Sequence, residues 1–353
     1  MKVYAVTGGG GFVGSHIVTT LLQHERELIE LRVLDLYWRH KVKAMHVNVV
    51  YICCDITRTD KLVALLEGVD VLIHAAACVD VFGAVPDEEV LRANVHGTHS
   101  VLAACVCAGV SCLVYTGSME AVGPNARGDP FVGHEDTPYD STHRHCYPRS
   151  KAEAEAMVLR ANGRRVRGGR RLRTCVLRPT GVYGERSTIL LRLLQSYLGR
   201  GGTVPRTAPE DALHSRVYAG NVAWMHVLAA RALQEQHSRV AGQAYFCYDE
   251  SPCCSYEEFN VRLMGPLGVS LRGRVPHAVL LGLAHLNRGL QRLLRAFGVC
   301  FAPLLNPHTL MMARSTFVVI TNKAARDMGY EPLYSWRQGA RNTTRWLQEE
   351  GTK

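Results

Sequence analysis

Residues 3–6, 31–34, 49–54, 69–74 and 112–116 are short, nearly unbroken apolar runs. Each suits one strand, and the lack of polar alternation predicts strands covered on both faces. Between them, residues 15–22, 60–67 and 94–107 read as helices. Strand and helix alternating in this way predict an α/β fold, a doubly wound parallel sheet. Residues 151–160 continue as an Ala- and Glu-rich helix, 174–184 as a strand running into an irregular turn, 222–233 as an apolar helix and 243–248 as a further strand. Past residue 185 the rhythm loosens, as expected of a smaller C-terminal lobe built from insertions that return at intervals to the core sheet. Residues 123–146, rich in Pro, Gly and His, predict a loop over a site. Residues 275–286, continued by 290–295, read as a basic amphipathic helix, shorter than the roughly 20 apolar residues of a bilayer span. Such a helix suits ordinary packing or peripheral contact with a membrane.

The strand ends carry the chemistry. The first run closes in Thr7-Gly8-Gly9-Gly10-Gly11-Phe12-Val13-Gly14 and opens a helix. Gly8, Gly11 and Gly14, with Phe12 between them, have the spacing of a turn where backbone approaches a pyrophosphate and a helix N-terminus binds the anion. Asp35 ends the second strand, placed for the ribose hydroxyls of NAD and against the 2'-phosphate of NADP; Arg39 nearby is a counter-signal. Asp55 ends the third strand, toward an adenine. Residues 1–185 therefore read as a dinucleotide-binding domain, and 186–353 mainly as a substrate lobe.

Ser118 falls at the carboxyl end of the fifth strand, where open α/β sheets place ligands. Tyr147 and Lys151, four apart, share one face of a helix, and an ammonium beside a phenol favours the phenolate. A tyrosine so tuned takes a proton from an alcohol. His74 reads as a strand-end histidine satisfied by backbone. Asn94 opens the helix after the fourth strand.

Composition narrows the partners. The 353 residues hold 41 Lys+Arg against 31 Asp+Glu, a net charge of +10, with 47% hydrophobic and 20% charged residues. Much of the excess lies in the arginines of 160–173, which lack interleaved aromatics, so a solvated loop is expected and no nucleic-acid partner. The twelve cysteines lie scattered through apolar runs without a Cys-x-x-Cys pair, which predicts free thiols, a reducing compartment and no metal site. With a strand starting at residue 3, no signal peptide is expected.

With these residues in place, the chain resembles the extended short-chain dehydrogenase/reductases, which have the Rossmann fold. Within them it is similar to the 3β-hydroxysteroid dehydrogenase/Δ5-4 isomerases, through residues 7–14, 115–120, 123–125, 147–151, 177–184 and 217–224. The compact C-terminal part and residues 251–256 look most like the poxvirus-encoded members. The family Thr-Ser-Ser is here Thr116-Gly117-Ser118, a departure at its middle position.

The resemblance implies NAD as cofactor and a Δ5 steroid as substrate. It implies Tyr147 as the base on the 3β-hydroxyl, Ser118 as donor to the same oxygen, Lys151 on the nicotinamide ribose and Asn94 supporting a relay water. For the isomerase step it implies Tyr245 as acid and Asp249 as base. It also implies an intracellular enzyme of the host cytoplasm, in contact with the endoplasmic reticulum membrane, and allows a homodimer. In a virus, steroid production of this kind would dampen host inflammation. The rival expectations are a sugar-nucleotide epimerase or reductase of the same fold and a non-enzymatic NAD(P) sensor.

Overall fold

A computed structural model describes residues 1–38, 41–299 and 301–351; Arg39 lies outside the described residues. The central sheet has seven parallel strands: β1 (Lys2–Thr7), β2 (Leu28–Asp35), β3 (Asn48–Cys53), β4 (Val71–His74), β5 (Cys112–Thr116), β6 (Arg173–Pro179) and β7 (Gln243–Cys247). Their order is β7-β6-β5-β4-β1-β2-β3. The chain reverses direction across the sheet at the β1/β4 boundary, the crevice where open sheets of this kind bind ligands.

Both faces of the sheet are buried, which is why the strands read as apolar runs. On one face Tyr4, Val6 and Ile73 pack with helix α1 (Phe12–His24) and with a later helix, Ala219–Gln234. On the other, Ala5, Leu72 and Leu113 meet helices α2 (Gly97–Ala108) and α3 (Cys146–Ala161). The Ala219–Gln234 helix, α4, and strand β7 both lie beyond residue 185 yet belong to this layer. The lobe has its own small core of Leu194, Phe259, Leu263 and Leu347.

Helix α3 begins earlier than residue 151, and its first turn contains Pro148, where the missing N–H has no intrahelical partner to lose. Tyr147 thus stands in that first turn. The stretch 123–146 is less loop-like than its composition predicts: Phe131–Gly133 forms a short strand paired with Phe317–Val319, and Phe131 stacks on Phe317. The amphipathic segments near 275–295 form one helix, α5 (His277–Ala296), followed by α6 (Pro307–Arg314). No described helix is long and apolar enough to cross a membrane.

Candidate active site

The glycine turn links β1 to α1. Gly8 sits at φ +70°, and a Cβ there would lie 2.6 Å from the Ala76 backbone. A Cβ on Gly14 would collide with the Gly8 carbonyl. Gly11 is the N-cap of α1, so Phe12, Val13 and Gly14 present first-turn amides at a helix N-terminus. Asp35 accepts from Gly10 N at 2.9 Å and from Leu36 N at 2.7 Å, which pins the turn against the end of β2. A side chain on Gly10 would run into the Tyr37 carbonyl at 2.5 Å and Asp35 Oδ2 at 3.1 Å. Backbone this bare, facing a helix N-terminus with a carboxylate at its edge, fits a dinucleotide. Asp55, past β3, accepts from Thr57 N and Oγ1, both at 2.9 Å, and pairs with Arg92 at 3.3 Å.

Ser118, at the end of β5, lies near enough to the Tyr147 hydroxyl to lower its pKa, so the structure brings these two groups together. Burial, then the nearby charge of Glu120, pushes the Tyr147 phenol well above its usual range, and Ser118 pulls against both. Lys151 is held against the sheet. Its Nζ donates to the Tyr115 hydroxyl at 2.7 Å and to the Thr116 carbonyl at 2.9 Å, reaching back to the sheet instead of along the helix to Tyr147. Burial brings its pKa down to about 7, against which Glu155 acts. A helix face shared at i and i+4 fixes where two side chains start, and the buried acceptors on β5 decide where the longer one ends.

Behind Lys151 runs a polar network absent from the sequence expectations. Tyr115 neighbours Thr98, whose hydroxyl donates to the Asn94 carbonyl at 2.6 Å and lies 3.1 Å from His74 Nε2. His74 Nδ1 lies 2.7 Å from the Thr7 hydroxyl. His74 is thus satisfied by two threonines, not by backbone, and burial, then Lys151, lowers its pKa to about 3. Asn94 stands in a π-helical turn, Arg92–His96. Its Nδ2 donates to Ser150 Oγ and the Cys78 carbonyl, and its Oδ1 accepts from Cys78 N. Its side chain ties the Cys78 loop to α3.

Tyr245 and Asp249 are also elsewhere engaged. Tyr245 is fully buried on the α1/α4 face of the sheet, opposite α3, and donates to Asp327 at 3.0 Å. Asp249 accepts from Tyr218 N and Asn221 Nδ2, both at 2.8 Å, and from Ser251 N at 2.9 Å, which fastens the start of α4. Alternation along β7 sends Tyr245 away from Tyr147. The structure therefore does not form an isomerase pair from these two residues at the Tyr147 site.

Sequence reasoning gave no role to Glu120, His145 or His308. Glu120 follows Ser118 in the same short 3-10 turn, and its Oε2 lies 3.7 Å from His308 Nε2 on α6. His308 stacks on His145, with ring centroids 4.3 Å apart. Only the Tyr115–Glu120 stretch carried a hint, in a carboxylate two residues beyond Ser118.

Residues 5–279 match the family model described as the 3-beta hydroxysteroid dehydrogenase/isomerase family. The human 3 beta-hydroxysteroid dehydrogenase type 7 is 51% identical, covering 98% of this chain and 95% of its own. The 3 beta-hydroxysteroid dehydrogenase/Δ5→4-isomerase of vaccinia virus (strain Western Reserve) is 45% identical over 99% of both chains. Among solved structures, a dTDP-glucose 4,6-dehydratase of Streptomyces venezuelae with NAD bound shares the fold, with a TM-score of 0.70, 23% identity and coverage of 99% and 97%. The glycine turn and the Ser118–Tyr147 pair would serve a sugar nucleotide or a sterol alike, but the matched sequence separates them: the chain belongs to the 3-beta hydroxysteroid dehydrogenase/isomerase family.

Proposed function

We propose that this family member oxidises the 3β-hydroxyl of Δ5 steroids with NAD and then moves the double bond to C4–C5, giving Δ4-3-ketosteroids. The observation that carries it is Ser118 beside Tyr147, with Tyr147 packed among Cys78, Val81, Val85, Val90 and Cys146. A hydroxyl pair in a greasy recess suits an alcohol on a hydrocarbon skeleton. The glycine turn and Asp35 would hold NAD, which would supply the hydride acceptor for C3 and a positive charge beside the pocket. Tyr147 takes the alcohol's proton, Ser118 donates to the same oxygen, and Lys151, already at the floor, is within the same buried group. Asp55 is assigned to the adenine end. Tyr147 takes the alcohol's proton as the phenolate; burial and Glu120 oppose its ionisation, Ser118 favours it, and the positive ring that NAD would bring would favour it further.

The membrane contact belongs to the same proposal. Val279, Leu283, Leu286, Leu290, Leu293 and Phe297 are each 40–75% exposed and form one stripe along α5. Arg288 and Arg292 are exposed on the face across the helix from it. A third side of α5 holds Gln291, which donates to the Gly83 carbonyl at 2.9 Å in the loop beside Tyr147. A helix apolar on one side and basic on the other lies in a lipid interface, and one that also packs on the loop beside Tyr147 can pass a steroid from lipid to Tyr147. The enzyme then works in the host cytoplasm against the endoplasmic reticulum membrane, and in an infected cell its product dampens inflammation. Unchanged steroid output after deletion of the gene would remove that last role.

The test is a substrate panel. Purified protein with NAD should form NADH on a Δ5-3β-hydroxysteroid, more slowly with NADP, and show no turnover of a UDP-sugar. Turnover of the sugar nucleotide without the steroid would move the chain to the rival enzyme class.

A further inference from the structure

We propose that Glu120 carries the proton of the double-bond shift from C4 to C6, and that His308, stacked on His145, is a positioning residue for it. This rests on the dehydrogenase/isomerase activity proposed above.

Three buried polar atoms around this point have no hydrogen-bond partner: Glu120 Oε2, His308 Nε2 and His145 Nδ1. Orphaned buried groups are costly, and each needs a reason to persist. These three come from separate elements, the turn after β5, the residue that caps α3 and the first turn of α6, and they converge on one spot. Among the described residues no group of three such side chains is arranged to hold a metal ion. The spot adjoins the reacting oxygen. Ser118 Oγ accepts from Glu120 N at 3.1 Å, so the hydroxyl beside Tyr147 and the carboxylate sit on one turn. The Glu120 charge also acts directly on the Tyr147 phenol. Facing the carboxylate are His308, His143, His145 and Tyr147; His143 Nε2 lies 3.4 Å from the Ala121 carbonyl, and Asp80 stands beyond His145.

The chemistry closes without an added reagent. Oxidation leaves Tyr147 protonated, so Tyr147 and Ser118 both donate to the new C3 ketone. The Glu120 carboxylate takes a proton from C4; the C4–H electron pair enters the dienolate, whose charge rests on the C3 oxygen between those two donors. The C5–C6 π electrons then form the new C6–H bond with the proton that Glu120 returns, the double bond settles at C4–C5, and Glu120 is a carboxylate again. C4 and C6 are both bonded to C5, so one carboxylate serves both. Nothing is oxidised or reduced in this step. Asp249, by contrast, spends its oxygens on Tyr218, Asn221 and Ser251.

Two substrates separate the steps: a saturated 3β-hydroxysteroid, which can only be oxidised, and a Δ5-3-ketosteroid, which can only be isomerised. Glu120→Gln should cut enone formation from the ketone by about 100-fold or more, and far more than it cuts NADH formation from the saturated alcohol. Glu120→Asp should restore part of the isomerisation, and His308→Gln should shift its pH profile while leaving saturated-alcohol oxidation in place. Enone formation by Glu120→Gln within about threefold of wild type overturns the assignment, as does an equal loss of both activities. If the wild type oxidises the saturated alcohol but forms no enone, the isomerase activity itself fails and the proposal falls with it, a result distinct from any defect of the variants.

Discussion

Lys151 and Tyr147 show how far spacing alone reaches. Their separation and the Ser118 position were legible because a helix period and a strand end are properties of sequence. Where Lys151 ends was not, since it depends on Tyr115 and Thr116 across the sheet-helix boundary. Gly117 is a second case: a Cβ there would meet the Leu177 carbonyl and Val176 Cγ1 at 3.0 Å, so glycine at the middle of Thr-Gly-Ser relieves a tight contact with β6. Asp249 makes a residue-scale prediction. Asn in its place turns an amide against a donor and gives up charged hydrogen bonds at the start of α4. Asp249→Asn should lower the unfolding free energy by about 2–3 kcal/mol and depress oxidation and isomerisation in parallel. A denaturation curve beside both assays checks it; selective loss of isomerisation would give Asp249 back its chemical role.

At the scale of elements, the sheet strands and the glycine turn could be read from the chain because parallel strands covered on both faces are apolar without interruption. Asp249 at the end of its strand was readable as well, but which side of β7 Tyr245 faces was not, because register against β6 is set in space. The π-helical turn at Arg92–His96 has no local signal either. Helix α5 is the element with the clearest consequence. Its inner positions Leu280, Ala284 and Gln291 are buried while the outer stripe is bare, so two of its sides are committed to different surroundings. Fully burying a leucine is worth about 1.5–3 kcal/mol, and glutamate in lipid adds a penalty. Leu286→Glu with Leu293→Glu should therefore release the protein from vesicles containing anionic lipid, with saturated-alcohol oxidation in detergent unchanged. Vesicle co-sedimentation measures it, and undiminished binding would take α5 out of the membrane contact.

Across the whole molecule, the dinucleotide layer and lobe were foreseeable in outline, while the return of α4 and β7 to the sheet blurs any border at residue 185. Burial also leaves a pH signature. His74 and His214 are lowered to about 3 and His226 to about 4, chiefly by burial. A histidine with a folded pKa below its unfolded value near 6.5 binds its proton first in the unfolded chain, so stability is lost as pH falls below about 6.5. Each contributes about 1.4 kcal/mol per pH unit in that window, and the three together roughly 4 kcal/mol per unit at the steepest. Between pH 6.5 and 5.5 the unfolding free energy should fall by about 3 kcal/mol, read from denaturant midpoints; a flat profile would mean these rings are not kept neutral. The most direct test of the central claim is to give wild type and Tyr147→Phe a Δ5-3β-hydroxysteroid with NAD and record NADH and conjugated enone together. Wild type should raise both signals, and Tyr147→Phe should lower both by about 10²-fold or more. Full activity in Tyr147→Phe, or no NADH from wild type, would contradict the account.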